Sequence, residues 1–289
     1  MKLIASVLSA VLLLFSAVAV AQAGKPHDIE DFIRKPKFKD IKISPTGEYY
    51  AATVHSERKT ALAILRRADN KLMASMTIPG DRTHVDDFWW VNPDRVLISP
   101  SEKFGALEEP QLTGELYAVN VDGGRGGILV GQRVQGEGPG TRIQPRKVEE
   151  VAAFLVDSLP GNDKDVIISV SPFTADSFAR IEKMDVYTGR RMPITQAPVR
   201  NASYYTDNAG NVRFASGEDI DLSDRLYYRA PESKEWTLIN DSRVSGSAQY
   251  PLGFSPDDKT AYLQVKQSQG PDAVVAWDIV ADKKTEVFR

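Results

Sequence analysis

The chain has 289 residues, of which 42% are hydrophobic and 26% charged, and its formal net charge is -3. This composition is too apolar for a wholly disordered chain and too evenly charged for a dedicated nucleic-acid-binding protein. Cysteine is absent, which excludes thiol catalysis, disulfides and cysteine–zinc sites. The three histidines, His27, His55 and His84, are too few for a histidine-rich metal site. We therefore expect no metal, no cofactor and no nucleic-acid partner.

The first 23 residues have the pattern of a secretory signal peptide. Lys2 precedes an uncharged, mostly apolar run over residues 3–21, and Ala21-Gln22-Ala23 places small residues at the -3 and -1 positions of a cleavage site. The alternative is an uncleaved membrane anchor, because the run approaches the length that spans a bilayer. The pattern favours cleavage before Gly24. It predicts an exported protein, periplasmic or secreted, without stable membrane insertion after cleavage.

After a lead-in segment over residues 24–37, strand-like runs alternate with turn residues. Ile41-Lys42-Ile43 and the run from Tyr49 to Val54 flank the turn Ser44-Pro45-Thr46-Gly47. Proline, aspartate, asparagine and glycine set turn geometry through fixed φ, side-chain bonding or tolerance of positive φ. Comparable turns recur at Asn92-Pro93-Asp94-Arg95, Pro160-Gly161-Asn162-Asp163, Asp207-Asn208-Ala209-Gly210 and Ser255-Pro256-Asp257-Asp258.

A second hairpin follows each of these turns. Its centres are Asp69-Asn70, Asp122-Gly123, Thr188-Gly189, Ser233-Lys234 and Ala281-Asp282. Two hairpins make four strands per repeat, and a period of roughly four dozen residues with four strands is typical of propeller blades. The longest interval contains an inserted loop over residues 131–147. The alternative is a β-sandwich with coincidental turn spacing.

The sequence thus predicts an all-β fold, a β-propeller of four-stranded blades with about five blades present. The predicted blades are residues 38–79, 83–131, 148–196, 199–240 and 247–288, together spanning 38–289. Five blades can close a ring by themselves, or they can be the front part of a longer ring. We expect the second arrangement, an incomplete ring.

The lead-in and first blade carry a family resemblance. Residues 32–38 and 43–49 resemble the start of exported bacterial peptidases of the prolyl oligopeptidase family, of the dipeptidyl aminopeptidase or acylaminoacyl-peptidase type. The resemblance continues through residues 88–92, 113–123 and 210–213, and through Tyr228-Arg229 to Trp236. It covers essentially all of residues 30–289.

This resemblance implies a propeller followed by an α/β-hydrolase domain that supplies a serine, an aspartate and a histidine. The serine of such enzymes lies in a Gly-x-Ser-x-Gly elbow, which this sequence lacks. No catalytic residue can therefore be assigned. The expected function is the non-catalytic propeller portion of a secreted serine peptidase, which gates the access of peptides to a hydrolase domain outside this chain. One alternative is a stand-alone periplasmic propeller that binds a protein or a small ligand. Another is a propeller enzyme with its site in the central channel.

The resemblance also singles out candidate substrate-binding residues. In dipeptidyl-cleaving relatives, paired glutamates on the propeller bind the terminal ammonium of the substrate, and Glu108-Glu109 is such a pair in an apparent loop. The alternative is that Glu108 and Glu109 form a solvated acidic turn without a binding role. Trp89 lies between Phe88 and Trp90 on one strand and is predicted to face the opposite side, where it could stack on a ligand or pack between blades.

Three further patterns are predicted to be structural. Asp219, Asp221, Ser223 and Asp224 could gather around calcium, but the run lacks the glycine and distal glutamate of the helical calcium loop. Residues 123–127 and 136–140 are glycine-rich but lack the strand–turn–helix context that binds phosphates. His55 and His84 are predicted to lie near strand ends without a serine elbow.

Overall fold

The computed structural model describes residues 38–56, 59–105, 109–133, 150–174 and 177–288. The predicted signal peptide, the lead-in segment and His27 lie outside the described residues, as do Glu108 and most of the predicted inserted loop. The strands, in chain order, are β1 (Phe38–Ile43), β2 (Tyr49–His55), β3 (Thr60–Arg66), β4 (Leu72–Met76), β5 (Thr83–Asn92), β6 (Arg95–Glu102), β7 (Gln111–Leu112), β8 (Leu116–Asn120), β9 (Gly127–Val130), β10 (Val151–Asp157), β11 (Asp165–Pro172), β12 (Arg180–Asp185), β13 (Arg191–Gln196), β14 (Ser203–Thr206), β15 (Val212–Glu218), β16 (Asp224–Tyr228), β17 (Thr237–Asp241), β18 (Gln249–Phe254), β19 (Thr260–Val265), β20 (Ala273–Asp278) and β21 (Lys283–Phe288). One helical turn, α1 (Ser242–Ser245), follows β17.

The strands form four sheets. Sheet 1 contains β1 to β9, and sheets 2, 3 and 4 contain β10–β13, β14–β17 and β18–β21, each paired antiparallel in chain order. Such an order follows from short hairpin connections. In sheet 1, β3 also pairs with β5 in parallel at a single position, Thr60 opposite His84. This pair joins two groups of strands that the sequence predicted as separate blades, so the blade boundaries stay a prediction.

The predicted turns are confirmed. The amide of Gly47 donates to the Ser44 carbonyl at 2.8 Å, and the amide of Asp258 donates to the Ser255 carbonyl at 2.9 Å. The second hairpins also lie where the sequence predicts them, because each centre falls between the last two strands of its group. Asn70 and Asp282 have φ of 55° and 50°, the left-handed region that asparagine and aspartate tolerate in turns.

Hydrophobic clusters lie between consecutive groups of strands. One cluster packs β2 and β3 against β5, β6 and β8 inside sheet 1, and a second packs sheet 1 against sheet 2. A third lies between sheets 2 and 3, and a fourth between sheets 3 and 4. Side chains alternate between the two faces of each strand, so a middle sheet can supply both of its faces to neighbours.

Exposed apolar side chains lie on the outer faces of the first and last groups of strands. Phe38, Ile41 and Ile43 of β1 are opposite Val54, Ala52 and Tyr50, on the face turned away from the cluster inside sheet 1. Their side chains are 46%, 57% and 61% exposed. At the other end of the chain, Leu252 of β18 and Phe288 of β21 are 54% and 69% exposed. The described parts of the chain therefore include apolar strand faces with no sheet packed on them.

No helix among the described residues is long and apolar enough to cross a membrane.

Candidate functional site

Trp89 lies on β5, and its neighbours confirm the predicted alternation. Phe88 is fully buried in the cluster inside sheet 1, and Trp90 packs against the same cluster. Trp89 is half-buried and packs against the cluster between sheets 1 and 2. The Lys42 ammonium lies 4.9 Å from the ring centroid of Phe88 and 5.5 Å from that of Trp89. Trp89 therefore has a packing role, and ligand stacking by the rest of its ring stays a prediction.

The structure does not bring Glu109 next to Trp89. Glu109 is exposed in the loop before β7. Its backbone carbonyl accepts a hydrogen bond from the side-chain amide of Gln111 at 3.4 Å. On β6, Leu97 is opposite Trp89, whereas Gln111 is paired with Glu102. At about 3.3 Å per residue these two levels of the sheet are about 17 Å apart. Any ammonium site at Glu109 is thus separate from the Trp89 ring.

The acidic loop before β16 is held by cations of the chain itself. Asp219 pairs with Arg225, and the Asp221 carboxylate lies 3.1 Å from Nη1 of Arg243. The Ser223 hydroxyl donates to Asp221 at 2.5 Å, and this bond is the largest cause that lowers the pKa of Asp221 to about 2. Asp224 accepts from the Tyr250 hydroxyl at 3.0 Å. No group of three or more histidine, aspartate or glutamate side chains in the described ranges is placed to hold a metal ion.

His55 and His84 meet at one hydroxyl. Oγ1 of Thr60 lies 3.2 Å from Nδ1 of His55 and 3.1 Å from Nδ1 of His84. A hydroxyl has one hydrogen, so at most one of the two imidazoles can accept it. These contacts lie at the β3–β5 pair and link the two groups of strands in sheet 1. The histidines lie at or near the ends of β2 and β5, as predicted.

A groove of about 490 Å³ lies between sheets 2 and 3. Two predicted turns, the one after β10 and the one after β14, form much of its wall, and β11, β12, β13 and the end of β16 contribute the rest. The lining residues are Asp157, Leu159, Pro160, Gly161, Asn162, Ile167, Lys183, Ile194, Asn208, Ala209, Gly210, Asn211, Val212, Arg229 and Pro231. A volume of this size accommodates a small molecule or the end of a peptide.

Arg229, which follows β16, lines this groove, and Arg213 on β15 is its neighbour. Arg213 donates from Nε to the Arg229 carbonyl at 3.1 Å and pairs through Nη1 with Asp207 at 2.8 Å. Arg229 is 6% exposed, donates from Nε to the Val212 carbonyl at 3.2 Å and from Nη1 to the Ser233 carbonyl at 3.1 Å. Burial lowers the pKa of Arg229, and the charge of Arg213 lowers it further. Arg229 has a basic neighbour and no acidic partner among the described residues.

The mouth of the groove has one further cation and one carboxylate. Nζ of Lys183 lies 3.5 Å from the Asp165 carboxylate. Asp157 accepts the Leu159 amide at 2.7 Å and the Thr206 hydroxyl. No sequence pattern considered above predicts this groove. The available signal was an arginine inside an otherwise apolar strand, Val212-Arg213-Phe214-Ala215, followed by Tyr228-Arg229 on the next strand.

Comparison with known proteins shows which solved structures have a similar fold. No family model matches the chain, and no curated protein matches it. Among solved structures, a prolyl endopeptidase is 13% identical, with 94% of this chain and 37% of that chain covered and a TM-score of 0.50. Dipeptidyl peptidase 4 from Porphyromonas gingivalis is 11% identical, with 88% and 39% covered and a TM-score of 0.53. Oligogalacturonate lyase from Vibrio parahaemolyticus is 11% identical, with 86% and 69% covered and a TM-score of 0.53.

These similarities, together with the four-stranded sheets, define the class of the protein: an all-β chain with the β-propeller fold. At 11–13% identity the likeness extends to the fold alone. The chain spans about two fifths of the length of the two peptidases that it matches.

Proposed function

We propose that this chain is the propeller portion of a prolyl-oligopeptidase-like serine peptidase and that it gates the access of peptides to a hydrolase domain outside this chain. The observation that carries the proposal is structural similarity over most of this chain to two peptidases of which it spans only about two fifths. The absence of a Gly-x-Ser-x-Gly elbow from the 289 residues supports a non-catalytic role for this portion.

The proposal includes an incomplete ring of about five blades. In a closed propeller each blade packs on two neighbours. The exposed apolar faces of β1 and of sheet 4 are surfaces that further blades would cover, because contiguous exposed apolar surface is unusual unless it serves an interface. The first group of strands supplies one such face and the last group supplies the other.

Peptide binding is proposed for Glu109 together with Glu108, through the terminal ammonium of the peptide. Glu109 supports this role because its side chain is exposed in a loop and has no cation bound to it in the described chain. Trp89 would act separately, since the sheet register puts it at another level. Export is also part of the proposal, and it rests on the signal-peptide pattern that ends at Ala23.

The native protein from its own cells tests the proposal. An antibody raised against this chain is used to isolate it, and its intact mass and its labelling by a fluorophosphonate probe are measured. We expect a mass well above the 31.9 kDa of this chain, stoichiometric labelling, and labelling confined to sequence outside residues 1–289. A native protein no larger than this chain that takes up no label contradicts the peptidase proposal.

A stand-alone ligand-binding propeller is the second candidate. The groove between sheets 2 and 3 favours it, because fifteen described residues of this chain form a concave site. The same mass measurement separates the two candidates, since only the second is compatible with a native protein of this length.

A further inference from the structure

We propose that the groove between sheets 2 and 3 binds an oxyanion, the carboxylate or phosphate of a small ligand, and that Arg229 is the residue that recognises it. This inference does not rest on the peptidase proposal, because every group that it uses belongs to the described chain.

Three buried arginines differ in their hydrogen bonds. The three guanidinium nitrogens of Arg95 donate to the Val186 carbonyl at 2.7 Å, to the Asn120 side chain at 2.5 Å and to the Arg125 carbonyl at 3.2 Å. Arg213 likewise uses all three nitrogens, with the Tyr228 hydroxyl as the third partner. Arg229 uses only Nε and Nη1. Its Nη2 has no acceptor among the described residues, and Arg229 is one of the residues that line the groove.

Arg229 also has no carboxylate partner among the described residues. Asp207 neutralises Arg213 at 2.8 Å, whereas no carboxylate lies within salt-bridge distance of Arg229 among the described residues. A buried charge without a counter-ion is costly, and the cost falls when an anion with a good hydrogen-bonding geometry is supplied. Lys183 also lies on the wall, where the Asp165 carboxylate, 3.5 Å from its Nζ, offsets its charge. Asp157, the carboxylate among the described lining residues, already accepts two hydrogen bonds.

The shape and chemistry of the groove limit the class of ligand. A guanidinium recognises carboxylate and phosphate oxygens through charge-assisted hydrogen bonds, which are about twice as strong as neutral ones. Ile167, Ile194, Pro160 and Pro231 supply apolar wall around that cation. The groove therefore suits a small molecule with one anionic group on an apolar body. Carboxylate and phosphate share the chemistry, so the experiment treats them in separate arms.

The test is a titration of the full chain with benzoate, with its neutral analogue benzamide and with inorganic phosphate. Binding is followed by calorimetry and by the NMR signals of the Arg229 Nε–H group and the Gly210 amide. We expect saturable binding of benzoate, of phosphate or of both, with both signals shifted, and benzamide weaker than benzoate by about tenfold or more where the carboxylate is the ligand group.

Variants identify the site. Arg229→Met removes the cation, and Ile194→Glu places an internal carboxylate on the groove wall without touching the buried network. Both should weaken anion binding by about tenfold or more. Arg243→Gln, a change to an exposed arginine of α1 that pairs with Asp221, is the matched control and should leave binding unchanged. Arg229 also packs at 5.6 Å on the Trp236 ring, and if Arg229→Met does not fold, Ile194→Glu decides alone.

Phosphate binding without benzoate binding would assign the groove to phosphate, and the reverse would assign it to carboxylate. The proposal is overturned if neither anion binds saturably. It is also overturned if benzoate and benzamide bind equally and phosphate does not bind, or if Ile194→Glu leaves the anion affinity unchanged.

Discussion

The junction between sheets 1 and 2 and the junction between sheets 2 and 3 have the same architecture but differ in how far they are filled. The first buries thirteen hydrophobic residues in one cluster, and the second buries three. Hydrogen bonds also link the two sheets at the first junction. The side-chain amide of Asn92 donates to the Asp163 carbonyl at 2.6 Å and to the Tyr187 hydroxyl at 2.9 Å. The second junction contains the groove instead. The comparison shows that one repeated packing scheme can yield either a rigid joint or a binding cavity.

Truncation of a core side chain in each junction should produce the largest difference. Leu97→Ala lies in the filled junction and should lower the free energy of unfolding by about 4 kcal/mol, because the close-packed surroundings cannot collapse into the cavity. Ile167→Ala opens onto the groove, where water and neighbouring side chains can fill the space, so we expect a loss of about 2 kcal/mol. Urea unfolding curves measure both values. Equal losses would mean that the two junctions are equally packed.

Removal of the buried arginine from each junction tests the polar side of the comparison. Arg95→Met removes three hydrogen bonds and leaves the Val186 carbonyl without its donor, which should cost about 3 kcal/mol. Arg229→Met removes two hydrogen bonds, one fewer than Arg95→Met, and the cation from the Trp236 ring, so the net loss should be about 2 kcal/mol. The midpoints of urea unfolding give the order. A greater loss for Arg229→Met than for Arg95→Met would contradict this order of hydrogen-bond contributions.

Two glycines on the groove wall separate backbone strain from crowding. Gly210 has φ of +79°, and a Cβ atom there would lie 2.2 Å from Cδ2 of Leu159. Gly161 has φ of +87° with nothing within 4 Å of the added atom. Gly210→Ala should therefore cost about 2 kcal/mol and Gly161→Ala about 1 kcal/mol, since only the first adds a clash to the strain. Thermal melts of the two variants measure this difference. Identical melting temperatures would show that Leu159 moves aside freely.

The smallest effect is expected outside both junctions, at Asp221 in the acidic loop. Its pKa is lowered to about 2 in the folded protein, first by the Ser223 hydroxyl, while the unfolded chain keeps a value near 3.8. A depressed acidic pKa contributes stability above the unfolded value, and this contribution is lost as the pH falls from about 4 to about 2. Asp221→Asn should flatten the acid dependence of stability over this range. An NMR titration that places the Asp221 pKa near 4 would disprove the assignment.

The sequence predicted the local features of this protein because short-range chemistry specifies them. Ser44-Pro45-Thr46-Gly47 and Asp69-Asn70 form turns through their own φ preferences and side chains, whatever surrounds them. The alternation of Phe88, Trp89 and Trp90 between two clusters follows from the pleat of one strand. The all-β class and the repeat of hairpins follow from these two rules.

The site candidates were harder to predict because they depend on residues far apart in the chain. Glu109 and Trp89 are twenty residues apart in sequence, and the register of β5, β6 and β7 decides that they lie at different levels. The link between Thr60 and His84 joins two groups of strands that looked independent in the sequence.

The sequence by itself determined the strands, the turns between them and which side chains share a strand face, because all three depend on neighbours within a few residues. The tertiary structure alone decided how completely each pair of sheets fills the space between them. It placed Arg229, which follows β16, against turns that lie more than fifteen residues earlier in the chain. It left Arg229 without a carboxylate partner, because Asp207 pairs with Arg213 instead. Which cation receives a scarce buried anion is settled only when distant strands pack, and here that choice left a positive charge at a cavity.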